Sequence, residues 1–99
     1  MTDGLELPPV LDLIAATGLL ESFVGRRGQE LAMDGGNVQR LGAQCLQVLL
    51  AARTAWAADG QTLLLENMSD EFSAALELIG VAPADLTNRS ATDGKELNA

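Results

Sequence analysis

Apolar positions along the chain come in short runs broken by glycine, proline or charge, and their spacing changes from run to run. LELPPV, residues 5–10, reads as a short strand at a sheet edge, because Pro8 and Pro9 have no N–H to give to a central ladder. A helix is expected just after the prolines. Leu13, Ala16, Leu20 and Phe23 recur at three- and four-residue spacing, which predicts one buried helical face. The stretch from Gly25 to Gly28, with Arg26 and Arg27, supplies a basic last turn and a stop, and Gly18 interrupts the helix at some cost in stability. QELAM, residues 29–33, is short, apolar and followed by glycines, so a strand is expected there with DGGN as the loop behind it. A hairpin joining QELAM to VQRL is the alternative organisation.

The strongest periodicity lies in Leu41, Cys45, Val48, Leu49, Ala52 and Trp56, a single stripe that predicts a helix ended by Asp59-Gly60. QTLLLEN then gives a continuous apolar run of strand length, as in a strand covered on both faces. Ser69 is placed as the N-cap of a third helix, where Asp70 and Glu71 suit the positive end of the helix dipole. Phe72, Ala75, Leu76 and Ile79 form its expected buried face, and Gly80 its C-cap. From Val81 on, the chain is polar and aperiodic, with room for one final short strand before a loose end. The order strand, helix, strand, helix, strand, helix predicts a small α/β domain with a mixed sheet flanked by helices. Its expected bounds are residues 1–85, with residues 86–99 as a flexible polar tail.

Composition narrows the chemistry. Ninety-nine residues, 47% of them hydrophobic, suffice for one core without disulfides or metals. No apolar run approaches the length of about 18 residues that a membrane-spanning helix needs, and MTDGLELPP lacks the basic-then-apolar layout of a secretory signal. A cytoplasmic protein without membrane insertion is expected. Six basic residues against fourteen acidic ones give a net charge of −8, which opposes attraction to nucleic acid. There is no histidine, the commonest general base and metal ligand, and the single cysteine, Cys45, cannot form an internal disulfide. Most hydrolase and zinc mechanisms are thereby excluded, and neither catalytic residues nor a metal or other cofactor is expected.

The frame Val38-x-x-Leu41-Gly42-x-x-Cys45-Leu46-x-Val48-Leu49-Leu50 is followed by Leu63-Leu64-Leu65 and by Ser69-x-x-Phe72-x-x-x-Leu76-x-x-x-Gly80-Val81. Over about residues 5–81 this resembles the STAS domain of anti-sigma factor antagonists. The resemblance implies a STAS-like fold and a non-enzymatic regulator that binds a histidine or serine kinase, an anti-sigma factor or a signalling adaptor, as a monomer or weak dimer. It is also similar to small single-domain STAS proteins found alongside bacterial chemotaxis genes. Many relatives carry an Asp-Ser-Ser-Gly-like turn whose serine is phosphorylated to break the complex. In this register that turn falls on Gly42-Ala43-Gln44-Cys45, which has neither the acid nor the hydroxyls. A STAS-like subunit of a lipid transport complex and a small-molecule-sensing domain are the competing functions.

Several local features offer chemistry and are outweighed by plainer structural roles. Cys45 at a helix start could be a reactive thiol, but its place on the apolar stripe assigns it to the core. Asp34-Gly35-Gly36-Asn37 has the glycines of a phosphate cradle but lacks the lysine and spacing of a P-loop, so it reads as a turn. Glu66, Asp70, Glu71 and Glu77 show no EF-hand alternation and read as an acidic surface. Trp56 is assigned to the core rather than to an interface. Partner contact is assigned instead to the polar loop and helix start, namely Asn37, Gln39, Arg40, Gly42, Ala43, Gln44 and Gln47.

Overall fold

The computed structural model describes residues 4–89. It has β1 (Gly4–Glu6), β2 (Val10–Leu11), α1 (Leu13–Val24), β3 (Leu31–Gly35), β4 (Arg40–Leu41), α2 (Ala43–Ala58), β5 (Leu63–Met68) and α3 (Asp70–Ile79), then a 3-10 turn at Pro83–Leu86. Strands β1, β3 and β5 form a parallel sheet in that order, and β2 pairs with β4, also in parallel, as a separate two-stranded ribbon. A single antiparallel bridge joins Leu63 to Asn88, with N–O distances of 2.6 and 2.9 Å in the two directions, so the architecture is a mixed α/β one as expected.

Each helix has a residue-level reason to begin where it does. Asp12 caps α1, its carboxylate accepting from Ala15 N at 3.0 Å, so the helix starts at Leu13 rather than directly after Pro9. That start rotates the expected face. Leu19 and Phe23 are buried, whereas Leu13 and Leu20 face solvent, because the helix packs through Ala15, Ala16, Leu19 and Phe23. The second helix follows its stripe, with Cys45, Leu49, Ala52 and Trp56 buried. Ser69 caps α3 by accepting from Phe72 N at 3.0 Å, and Gly80 ends it with φ of 78°, a left-handed turn that glycine adopts without a Cβ penalty. Phe72 and Leu76 are buried as expected, but Ile79 is half exposed at the last turn.

The strands also differ from their expected bounds. β3 runs two residues later than QELAM, through Asp34 and Gly35, and Gly35 pairs with Met68 beyond a register shift. A Cβ on Gly35 would lie 2.7 and 2.8 Å from the Phe72 ring, so the glycine extends the strand by letting that ring close over it. VQRL does not fold back on β3 as a hairpin; Arg40 and Leu41 lie beside Val10 and Leu11 instead. β5 is not covered on both faces throughout: Leu63 is buried, Leu64 and Leu65 are partly covered, and Glu66 and Asn67 are exposed.

The core gathers Leu7, Leu11, Leu31, Met33, Leu49, Leu63, Phe72 and Leu76 around Trp56. The indole lies edge-on to Phe23, with centroids 5.9 Å apart, and donates to Gln29 O at 2.8 Å, so its polar atom is satisfied inside. Packing continues past residue 85. Leu86 is fully buried, and Asn88 holds both the bridge to Leu63 and a side-chain bond to Gln61 O at 2.7 Å. Most of the segment expected as a loose tail, from residue 90 on, lies outside the described residues.

Candidate functional site

The start of α2 is set by backbone pairing rather than by a side-chain cap. The carbonyl of Pro9 accepts from Gln39 N at 2.7 Å and Arg40 N at 3.2 Å, and Gly42 N donates to Leu11 O at 2.7 Å. Gly42 is the N-cap, extended and without a side-chain capping bond. A Cβ there would sit 3.3 Å from Leu11 O, so glycine lets the turn lie close against β2. One consequence is that the first N–H groups of α2 have neither an intrahelical acceptor nor a capping hydroxyl from Gly42.

Below this turn the Cys45 thiol is buried and donates to Asp12 O at 3.2 Å, tying α2 to the capped start of α1. Burial pushes its pKa up, and the nearby Asp12 charge adds to the effect, so the group is a protonated donor. On the opposite face of α2, Ala43, Gln44 and Gln47 are exposed. Gln39 and Arg40 are exposed on the strand before it, and Gly42 is half-buried between them. Asn37 is exposed at the loop, where its amide donates to the Glu6 carboxylate. The seven residues assigned from sequence thus lie within residues 37–47, where the backbone of Gln39, Arg40 and Gly42 is pinned to Pro9 and Leu11. No charged residue occurs from Leu41 through Ala52.

Two neighbours of this surface were not legible in the sequence. Val10, Leu13 and Ile14 are exposed, the last at 88%, beside Asp12 and therefore beside the α2 turn. The missed signal was Asp12 itself: an aspartate before an apolar run is a capping residue, and placing it there would have put Leu13 and Ile14 in the exposed first turn. The second is a further role of Ser69, which the sequence marked only as an N-cap. Its hydroxyl donates to Val38 O while capping α3, and its N–H donates to Gly35 O at 3.1 Å, so α3 braces the loop that precedes β4.

Elsewhere, Asp34 accepts from Gly36 N at 2.9 Å, closing the DGGN segment as an ordinary turn. Glu6, Asp34 and Glu66 stand in register on neighbouring strands, a carboxylate row on one face of the sheet. Among the described residues no group of three or more His, Cys, Asp or Glu could hold a metal ion, no pocket opens, and no helix is long and apolar enough to cross a membrane.

The described residues form a small α/β domain of parallel strands and three helices that presents a strand-anchored helix start. The chain belongs to the STAS family: it matches the family described as Mlab, STAS domain over residues 2–87. STAS domains are generally non-enzymatic regulatory domains and commonly bind protein partners. No curated protein and no solved structure matches the chain significantly.

Proposed function

We propose that this chain is a non-enzymatic docking regulator that engages a partner kinase, anti-sigma factor or signalling adaptor through Asn37, Gln39, Arg40, Gly42, Ala43, Gln44 and Gln47. The observation that carries the reading is the uncapped start of α2: exposed side chains, uncharged from Leu41 onward with Arg40 at their edge, on a backbone fixed by hydrogen bonds to Pro9 and Leu11. Rigid placement lowers the ordering cost of docking, and the absence of charge on the first turns of α2 lowers the desolvation cost there. No Ser or Thr occurs from residue 37 through 53, so this surface carries no phosphorylation switch of its own. Binding is then controlled by the amount of partner or by modification of the partner.

The test is site-specific photocross-linking. A photoreactive side chain at position 44 or 47 should capture a protein that the same probe at exposed Leu78, on α3, does not. Capture of a transport-complex subunit in place of a signalling protein would keep the docking surface and change the system it serves. Equal capture from all three positions would remove the surface altogether.

A further inference from the structure

We infer that Ser69 is a positioning residue for the docking stretch: its hydroxyl, acting through Val38, holds the loop before β4 where Gln39 and Arg40 are presented to a partner. The inference rests on the docking role proposed above for residues 37–47. On one side that stretch is held by Pro9 O, which accepts from Gln39 N and Arg40 N, and by Leu11 O, which accepts from Gly42 N. On the other side, the loop that leads into it is seated on the first turn of α3. Ser69 N donates to Gly35 O at 3.1 Å, and the Ser69 hydroxyl donates to Val38 O. The Phe72 ring, one turn on, lies where a Cβ on Gly35 would stand. Both ends of the turn from Gly35 to Val38 are therefore fixed by the same few residues of α3.

Helix capping alone does not account for a serine here. Aspartate and asparagine cap a helix as well as serine does, because the cap needs only an acceptor. An ionised carboxylate accepts hydrogen bonds and has no proton to give, whereas a hydroxyl does both. Ser69 uses both capacities, accepting from Phe72 N at 3.0 Å while donating to Val38 O. The donated bond matters because Val38 has no exposed surface, so its carbonyl cannot take a water in exchange where it stands. Once the donor is gone, that oxygen either stays buried and unpaired or moves out to solvent. The second course displaces Gln39, its neighbour in the chain, and strains the bonds to Pro9 O. A docking surface that is no longer ordered in advance pays for its ordering on binding, so affinity falls.

The test compares three substitutions in the full chain. Ser69→Asp keeps the cap and removes the donor, Ser69→Gly removes the donor without adding charge and caps nearly as well, and Ser69→Thr keeps both bonds. Amide hydrogen exchange reads the loop directly. In Ser69→Asp and Ser69→Gly, the amides of Gln39 and Arg40 should exchange about tenfold faster or more, while that of Leu76 in the middle of α3 keeps its native rate. The Kd for the protein cross-linked at position 44 should rise about tenfold in the same two variants, and Ser69→Thr should match the native chain in both measurements. Unchanged exchange at Gln39 and Arg40, equal loosening of Leu76, or a Ser69→Thr variant as impaired as Ser69→Asp would each overturn the inference. So would faster exchange with an unchanged Kd. In that case weakened binding by Arg40→Ala or Gln44→Glu would leave the docking role standing, and normal binding by both would remove it too.

Discussion

Cys45 shows how one side chain can look chemical in the sequence and be structural in the fold. Its thiol donates to Asp12 O, and burial with the Asp12 charge raises its pKa, so the folded state holds the proton more tightly than the unfolded state does. The stabilisation this contributes is complete below the unfolded thiol pKa, about 8.5, and is lost as pH rises through the raised folded value. Stability measured by denaturant titration should therefore fall from pH 8 to pH 10 more steeply in the native chain than in Cys45→Ala. In the folded protein an alkylating reagent should modify Cys45 only as fast as the domain opens. Rapid alkylation at pH 8 without unfolding would mean that the thiol is accessible.

At the scale of elements, the position of Gly35 explains an error of phase that pattern reading could not avoid. QELAM marks the apolar part of β3, yet the strand continues through Asp34 and Gly35 because the Phe72 ring from α3 lies where a Cβ would be. Gly35→Ala should cost about 1–3 kcal/mol by overpacking a fully buried ring, seen as a lower urea midpoint with little change in slope. A neutral result would show that Phe72 can move aside. That contact joins residues far apart in sequence, so no local period encodes it. α1 failed for a different reason: its apolar residues occupy much of the helix circumference, and without the Asp12 cap the stripe through Leu13 and Leu20 looked as good as the true face through Leu19 and Phe23. By contrast α2 was legible through the regular spacing of Cys45, Leu49, Ala52 and Trp56, although its other faces are also rich in alanine and leucine, and α3 because one apolar face is opposed by polar residues and Ser69 and Gly80 mark its ends.

For the whole molecule, Trp56 unites the layers. It is fully buried on α2, edge-on to Phe23 of α1, and bonded to Gln29 just before β3. Trp56→Ala should remove about 3–5 kcal/mol from a total that for domains of this size is typically only 5–15, enough to leave a measurable unfolded fraction. The emission of the native protein should be blue-shifted; red-shifted emission in the folded state would place the ring at a surface instead. The order of elements was readable because α1 and α2 are crossovers between the parallel strands β1, β3 and β5. The proposed docking surface was readable only in part: Asn37, Gln39, Arg40, Gln44 and Gln47 stand out as polar residues between apolar runs, whereas the exposure of Leu13 and Ile14 depends on how α1 is turned.

The central claim is that the uncharged start of α2 docks on a protein partner and carries no switch. Its most direct test is the affinity of Gln44→Glu for the captured partner, measured by calorimetric titration alongside the melting temperature. A carboxylate at an exposed first-turn position is favoured by the helix dipole by about 0.3–1 kcal/mol, so the melting temperature should stay within a few degrees. The same charge is desolvated without a partner in the complex, so the Kd should rise about tenfold or more, equivalent to about 1.4 kcal/mol. Unchanged affinity for both Gln44→Glu and Arg40→Ala, with the fold intact, would contradict the account and place the contact elsewhere.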